Sequence, residues 1–148
     1  MILATDLKPY NHVAVKGDAG VYSVHGIRLA FFHPMKEDEA LIDRPHSFHQ
    51  SIGVSRLKGI PLTEFTVKKL GFLFGGSHYY HPENPDWYIW NFTIKGKPVW
   101  KTITHHRNVG NKPNETYKKL HFVHELQNAF YESSRFMIRF DNYNMKEK

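Results

Sequence analysis

Positive charge and flat rings are the chemistry this chain offers most densely, and both fall in one segment. Between Lys95 and His121 the basic residues are Lys95, Lys97, Lys101, Arg107, Lys112, Lys118 and Lys119, against the single acid Glu115. Seven cations against one acid leave +6, equal to the net charge of the whole 148-residue chain, so the remainder cancels. The segment follows directly on Trp87-Tyr-Ile-Trp-Asn-Phe-Thr-Ile94 and contains Trp100. Cationic side chains capture phosphates and rings stack on bases, the combination used by single-stranded nucleic-acid and nucleotide sites. On this reading Lys95, Lys97, Lys101, Arg107, Lys118 and Lys119 supply phosphate contacts, Trp87, Trp90 or Trp100 supplies stacking, and His121, His124 and Asn128 complete a polar side. The competing reading is structural: lysines in turns are commonly just solvated, and large rings on a strand commonly belong to a core.

Histidine is the other residue type able to do chemistry, with 11 in the chain. His46/His49, His78/His81 and His121/His124 have His-x-x-His spacing, and the last pair falls on an expected helix, where that spacing puts both rings on one face. His124-Glu125-Leu-Gln-Asn128 departs from the zinc-protease pattern at the second histidine, which is Asn128 here. Zinc needs at least three protein ligands and no third is indicated, so no metal site is assigned, and no cofactor. Acid–base work by His105, His106, His121 or His124 on a phosphodiester suits an imidazole titrating near neutrality. No repeated His-x-Thr or His-x-Ser pair signals it, however. P-loop, dinucleotide and Gly-x-Ser-x-Gly motifs are absent, and catalytic residues are assigned to none.

Composition bounds the class of molecule. Hydrophobic residues make up 41% and charged residues 23%, an ordinary globular mix, while 22 Phe, Tyr and Trp are the outlying count. The absence of Cys removes disulfides and thiolate chemistry. No run approaches the ~20 apolar residues of a membrane helix, and Met1–Lys8 lacks the pattern of a signal peptide, so a cytoplasmic protein is expected.

The elements that must position these residues read as α+β. Val13–Val15, Val21–His25, Ile27–Phe32 and Ser47–Leu57 suggest a β-rich N-terminal meander or small SH3-like barrel over 1–58, with residues 34–45 as an acidic loop. Region 59–141 follows, packed with the first as one unit. Thr63 is placed as an N-cap, Leu62 and Val67 as a hydrophobic staple, and Gly71-Phe72 as a left-handed stop, which predicts a two-turn helix. An aromatic β-hairpin turns at Lys95-Gly-Lys97; on its first strand Tyr88, Trp90, Phe92 and Ile94 share an apolar face, and Trp87, Ile89, Asn91 and Thr93 a mixed one. Residues Thr104 to Thr116 read as a loop. From Leu120 a helical period groups Phe122, Val123, Leu126, Ala129 and Phe130 against His121, His124, Asn128 and Tyr131. Phe136–Phe140 is expected as a short strand, and 142–148 as a frayed tail.

Two stretches, Ile60-Pro-Leu-Thr-Glu-Phe-Thr-Val-Lys-Lys-Leu-Gly-Phe72 and Leu120-His-Phe-Val-His-Glu-Leu-Gln-Asn-Ala-Phe-Tyr131, with an aromatic hairpin between them, resemble a family of small uncharacterised proteins encoded in phages and prophages of Bacteroidetes. Glu125 stands where that family usually has Gln, and Glu132-Ser-Ser where it has a Leu-Thr-Gly type ending. The resemblance brings no activity and no catalytic residue with it. It implies a phage accessory protein in the cytoplasm of an infected host, where a basic aromatic surface suits holding a nucleotide, a cyclic-nucleotide immune signal or single-stranded nucleic acid without turnover, as a host-defence antagonist. Two alternatives stay open: a protein–protein module acting on a host factor, and a His-based phosphodiesterase. A homo-oligomer is compatible with all three.

Overall fold

The computed structural model describes residues 2–18, 20–28, 37–43, 50–106 and 114–140. The fold is mixed α+β and rich in strand, with a curled half-barrel sheet and a C-terminal helix. In the N-terminal half, β1 (His12–Val15), β2 (Val21–Arg28), β3 (Glu39–Asp43) and β4 (Gln50–Gly53) form an antiparallel meander. A 3-10 turn at Val54–Arg56 then brings β5 (Leu57–Lys58) back against β1. Val13, Val24, Ile42 and Leu57 fill a small core under this sheet, closed by Ile2 and Leu7.

Three expectations for this half change. Gly26 does not end a strand: β2 runs through it to Arg28, taking up a register shift between Val24 and Gly26. The acidic stretch 34–45 is not all loop, because Glu39-Ala-Leu-Ile-Asp43 alternates and buries Ala40 and Ile42. The strand expected over Ser47–Leu57 is split by the 3-10 turn, and 44–49 lie outside the described residues.

The second half starts with α1 (Glu64–Lys69), whose ends are those the sequence encodes. Thr63 Oγ1 accepts from Thr66 N at 3.1 Å, and Thr66 Oγ1 accepts from Thr63 N at 2.9 Å. At the other end Gly71 N donates to the Lys68 carbonyl at 2.9 Å and Phe72 N to the Val67 carbonyl at 3.3 Å, with Gly71 at φ +95. A Cβ on Gly71 would also lie 2.7 Å from His81 Nε2, so both conformation and space require glycine there.

A second antiparallel meander follows: β6 (Leu73–Phe74), β7 (Tyr79–His81), β8 (Asn84–Ile94), β9 (Lys97–His106) and β10 (Asn114–Leu120). Lys95 at φ 52 and Gly96 at φ 76 make the tight turn between β8 and β9. Both ends of the expected loop 104–116 are strand, since Asn114 to Leu120 pairs in register with His106 to Trp100, and 107–113 lie outside the described residues. Thr104 and Thr116 at its ends, with Tyr117 just beyond, are good strand residues, and the polar composition around them masked them.

Helix α2 (Val123–Ser134) lies against the inner face of this sheet and touches β1 of the other. Being covered on two sides, it buries His124 and Gln127 as well as Val123, Leu126 and Phe130, which corrects the expected polar placement of His124. The two stretches flanking the hairpin meet here: Leu62 N donates to the His121 carbonyl at 3.0 Å and Val123 N to the Ile60 carbonyl at 2.8 Å. Residues 136–140 are not a strand. Their backbone bonds go to side chains instead, with the Ile138 carbonyl accepting from Gln127 Nε2 at 2.8 Å and Phe140 N donating to His12 Nε2 at 3.1 Å.

Candidate functional site

The outer face of the second sheet is built by strand parity. Residues opposite one another across antiparallel strands share a face, so the pairs Leu73–Tyr80, Tyr80–Tyr88, Trp90–Lys101, Lys101–Lys119, Phe92–Val99 and Ile94–Lys97 lie on one side. Ile89 and Trp87 turn inward. The structure therefore gives the core the mixed face of β8 and leaves the apolar face outside, with Phe92 and Ile94 each 43% exposed and Tyr88 and Trp90 half-buried. The rings form a contiguous layer: His78 to Tyr88 at 4.5 Å, and Tyr88 edge-on to Trp90 at 4.7 Å. Lys101 Nζ sits 5.6 Å from the centre of the Phe92 ring. Lys95 and Lys97 are exposed at the hairpin end, and exposed Lys119 continues the row Trp90–Lys101–Lys119 across three strands.

The other two tryptophans are not part of this layer. Trp100 is 2% exposed, packs 5.4 Å from Tyr79, and donates from Nε1 to the Leu62 carbonyl at 3.2 Å. A ring enclosed on both faces with its one polar atom paired cannot stack on a ligand. Trp87 packs on the same core, edge-on to Phe130 at 5.3 Å. Arg107 and Lys112 lie outside the described residues.

Lys118 belongs to the opposite side of β10, opposite Thr102, and with His124 and Asn128 it lines a cleft of about 400 Å³ between residues 2–8 and α2. Asn128 is held there: its Oδ1 accepts from Asn11 Nδ2 at 2.9 Å and its Nδ2 donates to the Asp6 carbonyl at 2.8 Å. Burial lowers the His124 pKa from its usual value, opposed by the nearby Asp6 carboxylate. His121 is exposed and does not line the cleft, so it and His124 do not form a catalytic pair there. Among the described residues no group of three or more His, Asp or Glu side chains is placed to hold a metal ion.

Apart from Arg107, outside the described residues, and the exposed His121, the residues expected at the site fall into three places. Lys95, Lys97, Lys101, Lys119 and Trp90 come together on the outer face, Lys118, His124 and Asn128 come together in the cleft, and Trp87 and Trp100 enter the core. No protein-family model, curated protein or solved structure matches the chain. Tyr88 and Phe92 on the outer face were missed as site residues, although their parity with Trp90 in β8 marks them. Tyr80 could be found only through its pairing with Tyr88. No helix among the described residues is long and apolar enough to cross a membrane.

Proposed function

We propose that the outer face of the second sheet binds a base-bearing phosphate ligand, a nucleotide or a short single strand of nucleic acid, and holds it without turnover. The observation that carries this reading is the row Trp90–Lys101–Lys119, which sets a half-exposed ring beside two lysines on one sheet face, with Lys95 and Lys97 at its end. Bases stack on such rings at about 1–3 kcal/mol each, and the lysines neutralise the phosphates that follow. A phage accessory protein that sequesters a host nucleotide signal is the setting in which this chemistry makes sense.

The test is titration with mononucleotides, cyclic nucleotides and a short single-stranded oligonucleotide at several salt concentrations, followed by mass spectrometry of the recovered ligand. The expected result is binding that weakens steeply with salt and returns the ligand intact; an altered ligand would establish a phosphodiesterase instead. The exposed Phe92, Ile94 and Leu73 favour one second reading, a face for a protein partner, for which binding changes little with salt.

A further inference from the structure

The cleft between residues 2–8 and α2 has features that the sheet-face reading leaves unused. His124 is 3% exposed and lines it, yet its Nδ1 is sealed from solvent with no partner, and neither ring nitrogen makes a hydrogen bond among the described residues. Most buried polar groups are paired, so an unpartnered imidazole in a cleft wall is unusual. The start of the 12-residue helix α2 adds a second open feature. A helix leaves its first N–H groups without intrahelical partners, and here the N-cap is Phe122, which has no side-chain acceptor. Val123 N is taken by the Ile60 carbonyl and Leu126 N by the Phe122 carbonyl. The N–H groups of His124 and Glu125, both residues of the cleft wall, have no partner among the described residues.

Charge around the cleft is mixed. Lys8 and Lys118 line it together with Asp6, Glu125 and Glu132, and Lys8 and Glu132 form a loose pair at 3.8 Å. A nucleotide phosphate would meet carboxylates here, and a simple cation would meet Lys118 and the positive end of the helix. A molecule carrying both charges can satisfy both kinds of group, and the volume of about 400 Å³ is at the small-molecule end of binding cavities.

We propose that this cleft is a second binding site, separate from the sheet face, for a small zwitterion bearing a carboxylate and an ammonium group, of the amino-acid class. The carboxylate lies at the start of α2, accepting from the His124 and Glu125 N–H groups beside Lys118, and the ammonium faces Asp6 and Glu125.

The experiment records the imidazole signals of His124 by nuclear magnetic resonance, and the thermal midpoint, while the full chain is titrated with the common L-amino acids. Glycinamide and N-acetylglycine serve as probes that each lack one charge. The expected result is that at least one amino acid moves the His124 signals and raises the midpoint at millimolar concentration, that neither single-charge probe does, and that Lys118→Ala weakens the effect by about tenfold. Lys118 is exposed, so that variant keeps the fold, and Trp90→Ala leaves the titration unchanged because it acts on the other site. Unmoved His124 signals with every amino acid, or equal binding of a probe lacking one charge, would overturn the proposal.

Discussion

Strand β8 has one face with a single ring, Trp87, and one with three, Tyr88, Trp90 and Phe92, and the ring-rich face is the one left outside. On the inner side Trp87 and Ile89 pack against Phe72, Phe130 and the rest of the second core, and across the hairpin Trp100 joins them with its indole N–H paired to a carbonyl. On the outer side Tyr88, Trp90 and Phe92 meet no covering helix among the described residues, and lysines stand next to them on the neighbouring strands. Ring content on a strand therefore does not choose the buried face. Both helices lie on the Trp87 side, and the side the helices cover becomes core whatever the other side carries.

The strongest way to break that comparison is to remove a ring from the inner side. Trp100→Ala empties a filled core position and strands the Leu62 carbonyl, and it is expected to cost about 3–5 kcal/mol in urea unfolding. A loss below ~1 kcal/mol would mean that the inner face is not the core. Next in size is the buried polar joint that ties the N-terminal sheet to α2. Gln127 Oε1 accepts from His12 N at 2.7 Å, and its Nε2 donates to the carbonyls of Ile138 at 2.8 Å and Tyr10 at 3.1 Å. Gln127→Leu strands all three groups and is expected to cost about 3 kcal/mol by the same measurement.

Two histidines sharpen the contrast through pH. Burial, helped by the Arg139 charge, pushes the His12 pKa down from 6.5 to about 3, and burial lowers that of His124 as well. Both rings are therefore neutral in the folded chain at pH values where the unfolded chain takes up protons. Stability is fully present above pH 6.5 and falls as pH drops, with His12 contributing to the loss down to about pH 3. For His12 the slope approaches about 1.4 kcal/mol per pH unit between these values, and His124 adds in the same direction. Urea unfolding at a series of pH values checks this, and a flat profile below pH 6.5 would contradict it. The outer face predicts the smallest stability effects: Trp90→Ala is expected to cost about 1 kcal/mol or less. Lys101→Gln and Lys119→Gln should leave stability unchanged and each reduce the salt slope of oligonucleotide binding by about 0.7.

Much of the local structure was legible because it is local. Thr63, Thr66, Gly71 and Phe72 encode both ends of α1 within a few residues, and the hairpin turn at Lys95-Gly96 announces itself by its glycine. The meander order could be anticipated from closely spaced alternating runs. What the sequence did not show is set by distance. The choice of the inner face of β8 depends on helices on either side of it in the chain, and the burial of His124 depends on residues 2–12, which cover α2 from more than 110 positions away in contacts such as Asn11 to Asn128. β10 was hidden by its polar composition, although its register with β9 is continuous. Charge counting found the basic segment but not its geometry, because adjacent residues of a strand point to opposite sides. Lys118 and Lys119 accordingly serve different surfaces.

The central claim is that Trp90, alone among the three tryptophans, is a stacking platform. The direct measurement compares binding of a short single-stranded oligonucleotide, at low and at physiological salt, by the native chain, Trp90→Ala and the core variant Trp87→Phe. Trp90→Ala is expected to weaken binding by about tenfold or more at both salt concentrations, while Trp87→Phe, if folded, binds as the native chain does. Equal affinity of Trp90→Ala and the native chain would contradict it.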